Sequence, residues 1–142
     1  MEKEKILKLL YKKSLKAYRK NEVPVSAVLL RDNKIISTAY NNKNIKYNAL
    51  LHAEILCLQK AYKKLKRWNL SDCILYVSLE PCDMCKQLIH ESRINKVYYL
   101  QKRGELNNKY NKTQYEQMFV EGGDNDFDEL MSNFFHKLRE KK

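Results

Sequence analysis

Four segments of the chain are predicted to be helices. In residues 3–20 and 53–65, hydrophobic side chains recur every three or four residues, and in the first segment lysines occupy the opposite face. A third helix is expected at residues 81–92, because Pro81 suits the first turn of a helix. A fourth is expected at residues 124–139, where acid at the start and base at the end complement the helix dipole.

Five short apolar runs bounded by polar residues are predicted to be strands: residues 23–30, 34–39, 73–79, 96–100 and 115–120. The polar turn at residues 31–33 makes the first two a hairpin. The third run lacks polar alternation, as expected for a strand buried on both faces. Gly122-Gly123 would end the last strand, and the polar stretch 101–114 fits no element.

The interleaving of helices and strands predicts the fold class. The chain has 142 residues, shows no internal repeat or linker, and is long enough for one domain with a real core. We therefore expect a single α/β domain over residues 1–142, with helices on the faces of a mixed sheet.

The charge of the chain is strongly positive. A net charge of +11 and an isoelectric point of about 9.4 favour an anionic partner, nucleic acid first and a membrane surface second. Lysine greatly outnumbers arginine, so a genome biased toward A and T would give the same excess with no functional cause. No apolar run approaches the ~20 residues that span a bilayer, and residues 1–5 lack the start of a secretory signal. We expect a cytoplasmic protein with no membrane partner.

Two short motifs carry candidate chemistry. His52-Ala53-Glu54 begins one predicted helix, and Pro81-Cys82-Asp83-Met84-Cys85 begins another directly after a predicted strand. Either motif alone is a weak or moderate signal. In this order, and each at a helix N-terminus, they form the H-x-E…P-C-x-x-C signature of zinc deaminases.

The residue types suit a catalytic zinc. Cys82 and Cys85 lie three apart, so they share a helix face, and the positive helix end favours their thiolates. With His52 they give zinc three protein ligands and leave the fourth tetrahedral position for water, whose pKa zinc lowers toward about 7. Glu54 has the complementary task of general acid and base, moving protons to the ring nitrogen and the departing ammonia.

Other readings of these residues remain open. A closed structural zinc needs a fourth ligand, for which Cys57 and Cys73 are the spare thiols, although burial explains both better. His90 and His136 have no spacing that favours metal binding, and solvent exposure explains them. A redox C-x-x-C would leave His52-Ala53-Glu54 without a role.

The chain resembles the bacterial tRNA adenosine deaminases, over about residues 3–100 and 127–139. The matching segments, beyond the zinc motif itself, are Glu22–Val28, Asn41, Leu75–Cys85, Ser92–Ile94 and Met131–Phe135. Departures occur at residues 48–51, 86–87 and 102–106, and none touches the three metal ligands. The resemblance implies a three-layer α/β/α fold of the cytidine deaminase type, with a central mixed five-stranded sheet.

The resemblance also implies an activity and its parts. The reaction would convert adenosine to inosine at wobble position 34 of a tRNA anticodon, with one Zn²⁺ per chain on His52, Cys82 and Cys85. Asn41 would hydrogen-bond the flipped base and Val25 would form an apolar wall beside it. Phe135 would stack on a neighbouring nucleotide of the anticodon stem-loop, unless it belongs to the core with Phe134. The expected assembly is a homodimer.

Two other functions remain possible on the sequence. A free nucleobase, nucleoside or nucleotide deaminase, acting on cytosine, cytidine or guanine, would use the same zinc site. A non-catalytic RNA-binding subunit could hold zinc as a structural element, but such a subunit has no need of the proton carrier Glu54.

Overall fold

The structure is a computed structural model that describes residues 2–103, 113–119 and 124–140. These residues form α1 (Lys3–Arg19), β1 (Ser26–Arg31), β2 (Lys34–Tyr40), α2 (Ala53–Leu65), β3 (Ile74–Leu79), α3 (Asp83–Glu91), β4 (Lys96–Gln101), β5 (Gln114–Gln117) and α4 (Asp124–Glu140). Every predicted element is present. The expectations for residues 104–112 and for Gly122-Gly123 lie outside the described residues.

Three element boundaries differ from the prediction by more than one residue. β1 begins at Ser26 rather than at residue 23, because Pro24 has no amide hydrogen for the sheet and the Val25 N–H donates to the Val23 carbonyl. α3 begins at Asp83, two residues later than expected, with Cys82 in extended conformation as its N-cap. β5 ends at Gln117 and not at residue 120.

The five strands form one mixed sheet in the order β2-β1-β3-β4-β5. β1 is antiparallel to β2, its hairpin partner, and to β3. β3, β4 and β5 run parallel to one another. The predicted hairpin and the mixed sheet are both confirmed.

Side chains of β1 alternate between two hydrophobic layers. Ala27 and Leu29 lie in a core cluster with residues of α2 and α3, and Val28 and Leu30 lie in a second cluster with residues of α1 and α4. The sheet is therefore covered on both faces, which confirms the three-layer α/β/α fold. None of the helices in the described part of the chain has the length and apolar content that a membrane crossing requires. The extent of the domain, residues 1–142, stays a prediction.

Two helix N-termini meet at one edge of this sheet. β3 ends at Leu79 and leads through Pro81 into α3, while the loop after β2 leads into α2 at Ala53. Sheets of this kind take ligands at the carboxyl ends of their parallel strands. The fold thus brings the two sequence motifs to the edge where a site is expected.

Candidate metal centre

His52, Cys82 and Cys85 converge in space as the sequence predicted. His52 is the N-cap residue of α2, Cys82 is the N-cap residue of α3, and Cys85 lies in the first turn of α3. His52 Nδ1 lies 3.8 Å from Cys82 Sγ and 3.6 Å from Cys85 Sγ. All three ligand atoms lie within 4.8 Å of one another.

These separations fit a tetrahedral zinc ion. Zinc binds sulfur at about 2.3 Å and imidazole nitrogen at about 2.0–2.1 Å, so tetrahedral angles require the ligand atoms to be about 3.6 Å apart. The two measured nitrogen–sulfur distances agree with this value to within about 0.2 Å. The nitrogen–sulfur separations therefore suit zinc, and Nδ1 is the nitrogen that would bind it.

No fourth protein ligand joins this group within the described ranges. Cys57 is buried against the Ser37 hydroxyl, 3.2 Å from its sulfur, and Cys73 contacts its neighbour Asp72. His136 pairs with Glu140 at 3.0 Å on the surface of α4. A closed structural zinc site is thus not supported, and the donor set is the one of a catalytic zinc.

The charge state of the two thiols follows from their contact. The hydrogen bond from Cys85, together with that from His52, lowers the pKa of Cys82 to about 3. The same bond to Cys82 raises the pKa of Cys85, because the sulfur atoms share one negative charge. A zinc cation between them would favour the thiolate form of both.

Glu54 lies buried beside this group, in the first turn of α2. Only 2% of its surface is exposed, and burial raises its pKa above the usual range of a carboxyl group. Interactions with its own backbone N–H and with the Cys85 thiol lower this pKa, but by less than burial raises it. A carboxyl with a raised pKa, next to a metal, has the properties of a proton carrier near neutral pH.

A cavity of about 380 Å³ opens over His52 and Glu54. Val25, Asn41 and Phe135 line it, as do Val23, Lys43, Leu79, Lys102, Arg103 and Met131. Asn41 is 6% exposed, whereas Phe135 is 44% exposed, in contrast to the buried Phe134. The structure thus gathers every candidate substrate residue around one cavity, whose volume suits a small ligand such as a nucleobase.

The loop between β2 and α2 is held by a residue that sequence reasoning missed. Glu22 is fully buried, and its two carboxylate oxygens accept the backbone N–H groups of Asn44 and Ile45, each at 2.8 Å. This loop carries Lys43 and leads to His52. The partners of Glu22 lie 22 and 23 residues away along the chain, so no local pattern reveals the contact.

A buried ion pair was also missed. Lys86 Nζ lies 3.2 Å from Glu80 Oε2, and the two side chains are only 4% and 7% exposed. Lys86 also lies over the ring of Tyr115, 4.4 Å from its centroid. Lys86 is one of the departures from the resembled family, and its burial shows that the departure has a structural partner.

The four cysteines are expected to differ in reactivity. Burial raises the pKa of Cys57 to about 12 and that of Cys73 to about 11, so both stay protonated at pH 7.5. Cys82, with its lowered pKa and partial exposure, is expected to react first with iodoacetamide after zinc is removed by a chelator. Zinc-loaded protein is expected to resist labelling at Cys82. Mass spectrometry of tryptic peptides measures this order, and equal labelling of Cys57 and Cys82 would contradict it.

The sequence matches a known family model over residues 1–101, described as the cytidine and deoxycytidylate deaminase zinc-binding region. A tRNA-specific adenosine deaminase of Rickettsia bellii is 42% identical, over 87% of this chain and 93% of that protein. The tRNA-specific adenosine deaminase of Aquifex aeolicus is 34% identical, over 98% of this chain and 97% of that protein.

Solved structures show the same fold. One from a study of A-to-I editing by tRNA:A34 deaminases at the wobble position superposes with a TM-score of 0.76 and 26% identity, over 83% of this chain and all of that chain. Guanine deaminase from Bacillus subtilis superposes with a TM-score of 0.68 and 26% identity, over 86% of this chain and 89% of that chain.

Proposed function

This chain belongs to the cytidine and deoxycytidylate deaminase family, and within it to the tRNA-specific adenosine deaminases, and on that premise we propose that it converts adenosine to inosine at wobble position 34 of a tRNA anticodon. The observation that carries the chemistry is a buried carboxyl group, Glu54, beside a His/Cys/Cys group with the spacing of zinc ligands. That group fits one Zn²⁺ per chain.

The metal and the carboxyl group divide the reaction between them. Zinc held by His52, Cys82 and Cys85 would lower the pKa of a water molecule toward about 7 and so supply a nucleophile for C6 of adenine. Glu54 accepts the proton that this water loses and donates it to ring nitrogen N1. Glu54 then takes the remaining hydroxyl proton and passes it to the amino group, which leaves as ammonia while C6 becomes a carbonyl.

The cavity residues position the base for this chemistry. The Asn41 side chain offers both a donor and an acceptor to the edge of a purine, and Val25 offers an apolar surface to its ring. Burial of Glu54 supports its role, because a carboxyl with a raised pKa can both accept and return a proton near pH 7.

The substrate we propose is the anticodon stem-loop. Its bases are unpaired or nearly so, which reduces the few kcal/mol that extruding a base from a duplex costs. Phe135, partly exposed at the cavity, is placed to stack on a neighbouring nucleotide, as aromatic side chains do in readers of single-stranded RNA. The net charge of +11 supplies attraction to the phosphate backbone.

Two further properties follow from this proposal. We propose that the chain assembles as a homodimer, which sedimentation of the zinc-loaded protein tests directly. We also propose that the protein acts in the cytoplasm, where its tRNA substrate is found.

A free-base deaminase is the second candidate function. The likeness to guanine deaminase from Bacillus subtilis favours it. That enzyme has the same fold, and its identity to this chain, 26%, equals that of the structure from the tRNA:A34 deaminase study. The same metal site would serve it.

A tRNA assay is expected to separate these functions. Purified zinc-loaded protein is expected to form inosine in a tRNA that carries A34 and none in the same tRNA with G34, read by sequencing. Turnover of the tRNA at limiting concentration is expected to fall at least about tenfold between 50 and 200 mM salt, since several phosphate contacts are lost. Guanine or cytosine turnover, insensitive to salt and without inosine in the tRNA, would instead support the second candidate. Tight tRNA binding with no product from any substrate would indicate a non-catalytic subunit.

A further inference from the structure

One cationic side chain at the cavity is fixed in place by the protein. Lys43, Lys102 and Arg103 all line the cavity over Glu54. Arg103 is tied to Glu80 twice: its backbone N–H donates to Oε1 at 3.2 Å, and its Nε–H donates to the Glu80 carbonyl oxygen at 2.9 Å. Arg103 is nonetheless exposed. The guanidinium is therefore held at the cavity while remaining open to a ligand.

Glu80 is suited to serve as this anchor. It is 5% exposed, its N–H donates to the Gln101 carbonyl at 2.8 Å, and its Oε2 faces Lys86 Nζ at 3.2 Å. Lys86 balances the carboxylate charge, and the Arg103 Nε–H bonds a neutral carbonyl oxygen. The N–H groups of the Arg103 guanidinium therefore form no ion pair with the Glu80 carboxylate.

The terminal amino groups of Arg103 have no hydrogen-bond partner among the residues that the structure describes. A guanidinium presents its remaining N–H donors in a planar fork that matches the oxygens of a phosphate. An anion at this position would lie beside the nucleotide whose base occupies the cavity.

We propose that Arg103 binds a phosphate of the RNA backbone next to the target nucleotide, with Glu80 as its positioning residue. The inference rests on the proposed function, because it takes the base in the cavity to belong to an RNA. The contact also distinguishes substrates, since a free base or a nucleoside has no phosphate to offer.

Binding of a short RNA hairpin tests the contact. The hairpin carries the target adenosine with either normal linkages or a neutral methylphosphonate on its 5′ or its 3′ side. Arg103→Gln is expected to weaken binding of the normal RNA about 10- to 100-fold, the usual effect of losing a hydrogen bond to a charged group. At one of the two neutral linkages, the variant and the wild type are expected to bind alike.

Arg67→Gln is the matched control. It removes the same charge, but Arg67 follows the far end of α2, about 20 Å along the helix from His52, and pairs with Asp72 at 2.9 Å. Its effect is expected to be below about twofold, as for an exposed charge. Equal effects of the two arginine substitutions, or an equal loss for Arg103→Gln on all three RNAs, would overturn the proposal. Adenosine 5′-monophosphate is included, and tighter binding of it than of the hairpin would assign the phosphate to a mononucleotide instead.

The measurement is kept independent of turnover. Fluorescence anisotropy in a Glu54→Ala background reports binding while the adenosine stays intact. A phosphate-dependent effect of Arg103 on binding, together with no inosine from the zinc-loaded protein that retains Glu54, would leave the contact standing and refute the proposed function. Inosine formation with Arg103→Gln behaving like Arg67→Gln would refute the contact alone.

The positioning role of Glu80 has its own readout. Glu80→Met combined with Lys86→Met removes both buried charges together, so neither is left unpaired, and it also removes the side-chain oxygen that accepts the Arg103 backbone N–H. This double variant is expected to weaken binding of the normal RNA about three- to tenfold, with its zinc content unchanged. No loss is expected for the RNA whose neutral linkage abolishes the difference between Arg103→Gln and the wild type. A loss of the same size on both RNAs would show that the pair only supports the fold.

Discussion

Replacing Glu54 by alanine is expected to lower kcat for adenosine deamination by about 10²- to 10⁴-fold while leaving one zinc ion bound per chain. The rate loss is that of a general acid and base, and no other acidic side chain lines the cavity among the described residues. Zinc should stay because the three ligand atoms belong to His52, Cys82 and Cys85. Steady-state kinetics and metal analysis of the same preparation measure both properties.

Glu54→Gln separates the proton transfer from the shape of the side chain. It keeps the size of the carboxyl group but cannot carry a proton, so it should be as inactive as the alanine variant. Normal turnover by either variant would refute the role assigned to Glu54. Loss of zinc from the glutamine variant would instead show that the carboxyl group helps to hold the metal.

Stability provides a second, independent check on Glu54. Burial raises its folded pKa, so the folded chain binds this proton more tightly than the unfolded chain does. The contribution of Glu54 to the free energy of unfolding is fully present below the pKa that this carboxyl has in the unfolded chain. It is lost as pH rises through the higher pKa that the carboxyl has in the folded chain. At pH 7 the carboxyl therefore opposes folding, and metal-free Glu54→Gln is expected to melt at a higher temperature than the metal-free wild type.

Replacing Cys85 by alanine is expected to remove both zinc and activity. Cys85 is fully buried, lies 3.6 Å from His52 Nδ1 and hydrogen-bonds Cys82, so its loss leaves zinc with two protein ligands. Turnover should fall below detection. The variant also loses the stabilisation that bound zinc gives the folded state, about 4 kcal/mol where free zinc exceeds its Kd by 1,000-fold.

Cys73→Ser is the matched control for this experiment. Cys73 is a buried cysteine too, but it contacts Asp72 and lies outside the group of ligand atoms. It should keep one zinc ion per chain and most of its activity, with a modest decrease in melting temperature. A Cys85→Ala protein that binds a full equivalent of zinc would contradict the proposed ligand set.

The metal centre could be predicted from the sequence because its residues lie in two pairs of near neighbours along the chain. His52 and Glu54 are two residues apart, Cys82 and Cys85 are three apart, and each pair is fixed by one helix N-terminus. Alternating and periodic hydrophobic runs gave the strands and helices in the same way. The later start of β1 also has a local reason, because Pro24 cannot donate to a sheet.

The surroundings of the site were not accessible, because they depend on contacts between distant parts of the chain. Arg103 reaches Glu80 across 23 residues, and Glu22 reaches the loop before α2 across 22 and 23. The sequence also left open whether Phe135 lies at the site or packs in the core with Phe134. Packing of α4 against the rest of the protein decides this, burying Phe134 and leaving Phe135 at the cavity.

The hydrogen bonds between Glu22 and the loop that joins β2 to α2 have an evolutionary consequence. Glu22 holds two peptide N–H groups and no side chain, and every amino acid except proline supplies such a group. Residues 44 and 45 can therefore be exchanged for any of the others without releasing the loop. Selection can therefore change the two side chains next to Lys43, which lines the cavity, while the backbone of the loop keeps its position.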